Sequence, residues 1–458
     1  FILWGIGSII YAINSTEVIV NLARQLNVFL MFFSMAVFTY NLKNKLRFLP
    51  WVITLILGVE IFAVLNEALE MINTSGRIVG GQLKGVTANR NITAFSIAIK
   101  IPIMLYLVQW NKKSWVRVIV FVLTTFSLLC LSMIQSRASF VAIGLFILAY
   151  IGLQIIFYLK VSKKFSQLKN IGFVIFPLLI AVTINKIFLS SKGADAISRA
   201  GTISLSTNDG SINQRLRYYE DVITQITSNP LFGVGLGNWK LKSIDYDAKD
   251  INGYVVPYHA HSDFIQLGAE LGVMGFLLYL GIFLWAIVYV CRLILYSELK
   301  IDEKVFLFLI VTALGIYSVD ANLNFPIARP QVLVVWTLIL ALITGFYQKE
   351  QNKKLKIKSN AKLSVSFLAF SFALALPSIY VNNSVYKSLK GQMFLLQDFN
   401  SNNYNLPLTQ VDNIVPDIPN ITVTTIPINS VKARYYVNAK KYDKALTLLD
   451  NGTNANPY

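Results

Sequence analysis

Both histidines of this 458-residue chain lie two residues apart, in the stretch YHAHSDFIQLGAELG from Tyr258 to Gly272. An H-x-H pair can ligate a metal, but no third or fourth ligand stands at a telling spacing, and no metal site is expected. A neutral imidazole suits general-base work instead, because its ordinary pKa of about 6.5 lies near neutral pH. Ser262 or Asp263 is placed to cap the apolar run that follows. His261 then stands at a helix N-terminus, where the positive end of the dipole disfavours imidazolium and favours a nearby anion. His261 is the first choice for a base and His259 the second. A lone interfacial histidine making ordinary hydrogen bonds is the plain alternative, and the neighbouring residues decide against it.

Upstream runs SINQRLRYYEDVITQITSNPLFGVGLGNW, Ser211 to Trp239. Its S-x-x-Q start reads as a capping box with Ser211 as N-cap. Ile212, Leu216, Tyr219, Ile223 and Ile226 recur at helical spacing, and Pro230 ends the pattern. An amphipathic helix of this kind between two spans lies on a membrane face. Arg215 and Arg217 near its start touch lipid phosphate or, for Arg215, a substrate phosphate. Gly233, Gly235 and Gly237 then allow sharp turns and close backbone approach. They do not form the dinucleotide fingerprint, since no strand precedes them.

These residues need a scaffold, and composition names it. The chain is 55% hydrophobic with only 14% charged residues, and many of its apolar runs approach the roughly 20 residues that cross a bilayer. The fold class is therefore all-α: a polytopic helical membrane protein with about 11 or more transmembrane helices. Spans are expected near 1–13, 19–40, 48–66, 92–109, 116–133, 138–158, 170–189, 264–290, 304–319, 330–348 and 363–382. The opening FILWGIGSIIYAI lacks a Met and a basic n-region, so it reads as a truncated first span with chain missing before Phe1.

The net charge of +18 signals topology and lipid headgroups rather than nucleic acid, because most Lys and Arg sit in short loops between spans. Lys43, Lys45 and Arg47; Lys112, Lys113 and Arg117; Lys160, Lys163, Lys164 and Lys169; Arg292, Lys300 and Lys304; and KKLKIK at 353–358 mark alternate loops as cytoplasmic. The intervening loops 67–91, 134–137, 190–263, 320–329 and the tail face outward. Residues 1–382 are expected to form the membrane domain and 383–458 a tail. Ala433, Tyr435, Ala439, Tyr442, Ala445 and Leu448 recur at helical spacing there, and Asn456-Pro457 ends the pattern. This resembles the start of tetratricopeptide-type repeats, with a lone helical pair packed on the membrane domain as the alternative. Cys130 and Cys291 fall in or beside apolar runs, so neither disulfide nor metal chemistry is expected of them. Glu60 and Lys100 lie at similar depth in neighbouring spans. Unpaired charges there are costly, so they should pair.

NPLFGVGLGNW followed by YHAHSDFIQLGAELGVMGFLLYL resembles the signature of the O-antigen ligase and polymerase superfamily. That signature is an Arg about fifteen residues before a Pro, a P-x-x-G-x-G turn, then H-N-x-x-L/I-x-x-x-x-E-x-G. Arg215, Pro230, Gly233, Gly235, His261, Glu270 and Gly272 match, while Ser262 replaces the usual Asn. KGVTANRNITAF, with Asn89 and Asn91, resembles the family's N-x-N stretch. MIQSRASF, with Arg137, resembles its short S-R turn, and ANLNFPIARPQVLVVW its F-P-x-x-x-P start of a late span. The matches run in order from Lys84 to Trp336.

The resemblance implies a GT-C-type glycosyltransferase without metal or other cofactor. Its donor is a glycan on undecaprenyl pyrophosphate at the periplasmic face of a bacterial inner membrane. His261 is implied as base for an acceptor hydroxyl, and Arg215 and Arg137 as pyrophosphate ligands. Arg90 and Lys84 are further candidates for that role. His259, Asn91, Gly233, Gly235 and Glu270 support the site, with Glu270 an anchor more than a substrate contact. An O-antigen ligase acting on lipid A–core is preferred, then a protein O-oligosaccharyltransferase, then a polymerase. A transporter of lipid-linked glycan is the reading from another class, and a membrane anchor displaying a repeat domain a third. The repeat-like tail is the expected surface for a protein partner.

Overall fold

The computed structural model describes residues 1–42, 44–202, 210–248, 256–355 and 361–458. Among them the protein is all-α, with ten helices long and apolar enough to cross a membrane. These match the expected spans except the first. Residues Ile2–Gly7 form a six-residue helix and Ser8–Ile10 a single 3-10 turn, too short to span a bilayer. The last expected span does not stop at 382: one helix runs Ala361–Asn400. Lys43, residues 356–358 of the basic KKLKIK stretch, and the side chains of Ser211 and Ile212 lie outside the described residues.

The chain divides into two compact units. The first comprises 1–31, 213–282 and 358–458, and the second 32–212 and 283–357. The second unit is built round the helix Arg90–Trp110, which packs against the helices Lys45–Ser75, Ser114–Ile134, Arg137–Phe157, Ile301–Leu323 and Pro330–Leu355. Its sequence from Ile92 to Val108 is apolar on every side, with few polar interruptions, and every residue of that stretch is buried. A helix without a polar face finds its place only at the centre of such a bundle.

Lys100 is the main exception inside that helix. Its ammonium donates to both Glu60 oxygens at 3.0 and 2.9 Å, and to the carbonyl and hydroxyl of Ser96 at 2.7 and 2.8 Å. The Ser96 hydroxyl in turn donates to Glu60 at 2.7 Å. Every donor of the ammonium is used, which is what makes a buried pair tolerable where water is excluded. The expected pairing of Glu60 with Lys100 is therefore present.

In the first unit the end of the chain forms a helical hairpin, Ile428–Asn438 against Tyr442–Ala455. Ala433 and Tyr436 pack on Ala445 and Leu448. Of the expected stripe, Ala433, Tyr435, Ala445 and Leu448 are buried, whereas Ala439 and Tyr442 are exposed. Tyr435 faces the other way, into a core with Leu395, Val411, Val415, Ile428 and Val431. The hairpin is tied to the start of the chain by Asn14, whose amide donates to the Asn420 side chain and to the Ala455 carbonyl, both at 2.8 Å.

Replacing Lys100 by Met strands the Glu60 carboxylate. Thermal or denaturant unfolding in detergent should show a loss of about 3–5 kcal/mol, most of it recovered when Glu60 is also replaced by Met.

Candidate functional site

The turn Pro230–Gly237 and the helix Asp263–Tyr296 are built as one object. That helix breaks at Gly272, where φ is 69° and ψ −176°. The break releases carbonyls and an N–H that would otherwise bond within the helix. Val234 N–H donates to the Ala269 carbonyl at 3.0 Å and Gly235 N–H to the Glu270 carbonyl at 2.8 Å. The Trp4 indole donates to the Leu271 carbonyl at 2.9 Å. Val273 N–H donates back to Pro230 O at 2.8 Å. The approach is so close that a Cβ at Gly233 would collide with the Ala269 carbonyl, and one at Gly272 with the Leu231 carbonyl. Gly233 also has φ of 71°, which side chains disfavour. The glycines at 233 and 272 thus serve one docking event.

Glu270 carries that event to the histidines. Its carboxylate, fully enclosed, accepts from Gly237 N–H at 2.8 Å and from the Gln266 amide at 3.1 Å. The Gln266 oxygen accepts from Ala260 N–H at 3.1 Å, between His259 and His261. Glu270 is an anchor, as the sequence suggests. Gln266 was not singled out there, although its i,i+4 spacing to Glu270 is visible in the sequence.

His261 is half-buried, with φ of 57°. This left-handed conformation is uncommon outside glycine and is tolerated by histidine better than by most residues. It comes just before the helix whose first turn is closed by Gln266 N–H on the Ser262 carbonyl. The helix Gly210–Ser228 supplies its surroundings. Tyr219 donates its hydroxyl to the His261 carbonyl at 3.1 Å. The Tyr218 ring runs parallel to the imidazole with centroids 6.1 Å apart. Burial, together with the positive charge of Arg215, pushes the His261 imidazole down to about 4. The structure therefore brings His261 and Arg215 together and keeps the imidazole neutral at physiological pH.

Tyr218, Val222 and Gln225 of that helix are buried, while Leu216 and Ile223 of the expected apolar stripe are exposed. Val222 packs with Trp239, Ala260 and Ala269. Arg217 pairs with Asp247 at 3.1 Å, which sets it apart from Arg215.

The other expected residues belong to the second unit. Asn89 caps the helix Arg90–Trp110, accepting from the backbone N–H of Asn91 and Ile92 at 3.0 and 3.3 Å. Asn91 is thus the capped residue and Asn89 the cap. Lys84 is exposed, its backbone N–H held by the Glu67 carboxylate at 2.9 Å. The Arg90 guanidinium lies over Gly81, where a Cβ would stand 3.2 Å from Nη1. Gly80 lies against the carbonyls of Met133 and Ile134. Arg137 begins the helix Arg137–Phe157 and donates to the Thr202 carbonyl at 3.2 Å. Arg199, on the short helix Ala196–Gly201, donates to the Gln135 carbonyl at 3.4 Å. Segments 78–90, 133–137 and 190–202 therefore meet at one end of this unit and gather Arg90, Arg137 and Arg199. Arg199 escaped the sequence reading because residues 190–210 carry no motif of the kind found from Ser211 on. The signal was Asp195, which caps the short helix through Ser198 N–H at 3.0 Å.

Among the described residues no three His, Cys, Asp or Glu side chains converge as a metal site would require.

Residues 122–280 match the family model described as O-antigen ligase. The matched segment contains Arg137, Arg215, Gly233, Gly235, His259, His261 and Glu270, whereas Lys84, Arg90 and Asn91 precede it. No curated protein matches the chain.

Two outcomes are expected. The chain has only two histidines, so isotope-labelled imidazoles give two titrations by NMR. That of His261 should fall near pH 4, and Arg215→Ala should raise it. Because the folded value lies below the ordinary one, the unfolded chain takes up the proton first. Stability is thus whole above about pH 6.5 and declines as pH falls toward 4. Separately, Gly272→Ala should lower unfolding stability by at least ~1 kcal/mol, since the φ required and the Leu231 carbonyl both exclude a methyl group.

Proposed function

From residues 122–280, which place the chain in the O-antigen ligase superfamily, we infer an enzyme that transfers a glycan from undecaprenyl pyrophosphate to an acceptor hydroxyl. Transfer takes place on the periplasmic face of a bacterial inner membrane. Lipid A–core is the preferred acceptor. The observation that carries the reading is the imidazole of His261, kept neutral by burial and held beside the Arg215 guanidinium.

A neutral imidazole can take the proton of the acceptor hydroxyl as its oxygen attacks the anomeric carbon. The bond from that carbon to the phosphate oxygen breaks, and both electrons leave with the lipid pyrophosphate. Negative charge grows on the leaving group at this moment. Arg215, Arg137 and, less directly, Arg90 and Lys84 are assigned to bind it. Guanidinium groups match phosphate geometry with two parallel hydrogen bonds and stay charged at any working pH. In this scheme cationic side chains supply the stabilisation that a metal supplies elsewhere. Transfer to a protein hydroxyl, or to another glycan repeat, uses the same steps on a different nucleophile, and the helical tail is a candidate surface for a protein partner.

The test offers the purified chain undecaprenyl-pyrophosphate glycan with lipid A–core, a Ser/Thr-containing protein or a second lipid-linked glycan. Wild type should transfer to lipid A–core. His261→Ala should lose about 10²–10⁴-fold in rate with donor binding retained, and kcat/KM should show an acid limb near pH 4. Full activity in His261→Ala would end the base assignment.

A further inference from the structure

Lys240 is a buried cation for which the scheme above has no use. It stands on the short helix Trp239–Asp247, directly after the glycine turn. Its ammonium lies 2.5 Å from the Glu17 carboxylate and 3.0 Å from the Tyr258 hydroxyl, and 4.9 Å from the centre of the Tyr258 ring. Burial alone would favour losing the proton. The Glu17 carboxylate and the Tyr258 oxygen outweigh it and raise the pKa, so the ammonium is kept.

Its neighbours on the same helix act on the same strand of chain. Ser243 donates to the Pro257 carbonyl at 2.9 Å. Trp239 packs with Ala260. Pro257, Tyr258 and Ala260 are therefore all held by one helix, through a hydrogen bond, an ion-supported hydrogen bond and an apolar contact. Fixing Tyr258 and Ala260 against the helix sets the direction from which His261 starts. The Tyr258 and His259 rings meet edge to face at 5.2 Å, which passes the constraint along. Gln266 holds Ala260 N–H from the other side.

We propose that Lys240 is a positioning residue: its ammonium, anchored by Glu17, clamps Tyr258 and so presents the His259–His261 segment to the acceptor hydroxyl. The assignment rests on His261 as the base, and it concerns the placement of that base rather than contact with substrate. An ion pair suits this task because buried charges with all their hydrogen bonds made have few alternative arrangements. A misplacement of about 1 Å costs on the order of 10² in rate, so a clamp one residue removed from the base is worth its buried charge.

The experiment uses the full chain in detergent, purified through a tag free of histidine, with labelled imidazoles. Three variants are compared with wild type: Tyr258→Phe, the double change Glu17→Gln with Lys240→Met, and Lys240→Arg. Tyr258→Phe removes one hydroxyl, and the double change leaves no buried charge behind. Both should lower kcat by about 10-fold to 10²-fold, leave KM for undecaprenyl-pyrophosphate glycan unchanged, and move the His261 titration upward as its segment loosens toward water. Lys240→Arg, which keeps the charge, should restore part of both. The clamp is refuted by a Tyr258→Phe chain with wild-type kcat and titrations, or by a rate loss in which neither imidazole titration moves. Should the double variant fail to fold, Tyr258→Phe alone decides. If wild type transfers to no acceptor while Tyr258→Phe still shifts the His261 titration, the clamp stands and the glycosyl-transfer reading fails.

Discussion

The break in the helix at Gly272 is the constraint on which the first unit depends. Inside a membrane protein a helix that stops hydrogen-bonding to itself exposes groups that cost several kcal/mol each unless something takes them up. Here the turn Pro230–Gly237 and the Trp4 indole take up the Ala269, Glu270 and Leu271 carbonyls, and Pro230 accepts from Val273. Turn and helix therefore cannot be varied separately. Gly233 is needed because Ala269 stands against it, and Gly272 because Leu231 does. The P-x-x-G-x-G and E-x-G elements, thirty-odd residues apart in sequence, are two sides of one joint.

From that joint the order propagates to the histidines. Glu270 reads the turn through Gly237 and passes the position to Ala260 through Gln266. The short helix Trp239–Asp247 approaches the same residues from the turn's other end, with Trp239 on Ala260 and Lys240 on Tyr258. Asn14 closes the arrangement. Its backbone N–H donates to Asn238 and its side chain reaches the Ala455 carbonyl. The half-buried His261 thus sits in a left-handed conformation that its surroundings, not its own preference, determine. Its neutrality has the same origin, since the burial that lowers its proton affinity is the burial that holds it in place.

Charge is handled in two ways within the second unit. Glu60 and Lys100 satisfy one another and Ser96 within the bundle, and their geometry leaves no donor for a ligand. Arg90, Arg137 and Arg199 stand instead at an end of their unit, where Arg137 and Arg199 donate to backbone carbonyls. A guanidinium has five donors in a rigid fork, so such partners orient it.

The sequence by itself determined the class and most of the spans, because apolar runs of bilayer length allow no other fold. It also singled out the two histidines and the glycine turn by residue type and spacing, and Glu270 through the resemblance those residues carry. It did not show that residues 2–10 are too short to span, nor that the Ala361–Asn400 helix continues past 382. Hydropathy records how greasy a segment is, not whether its helix goes on. It did not show which face of the helix Gly210–Ser228 is covered by the protein, because Leu216 and Ile223 are as apolar as Val222 and only the position of Trp239 and Ala269 selects Val222. Arg217 pairs with Asp247, thirty residues on, a contact no local pattern showed. Lys240 and Glu17 carried no local pattern that marked them. Their roles come from partners distant along the chain, and a pairing between distant residues exists only once the tertiary structure has brought them within a hydrogen bond of each other.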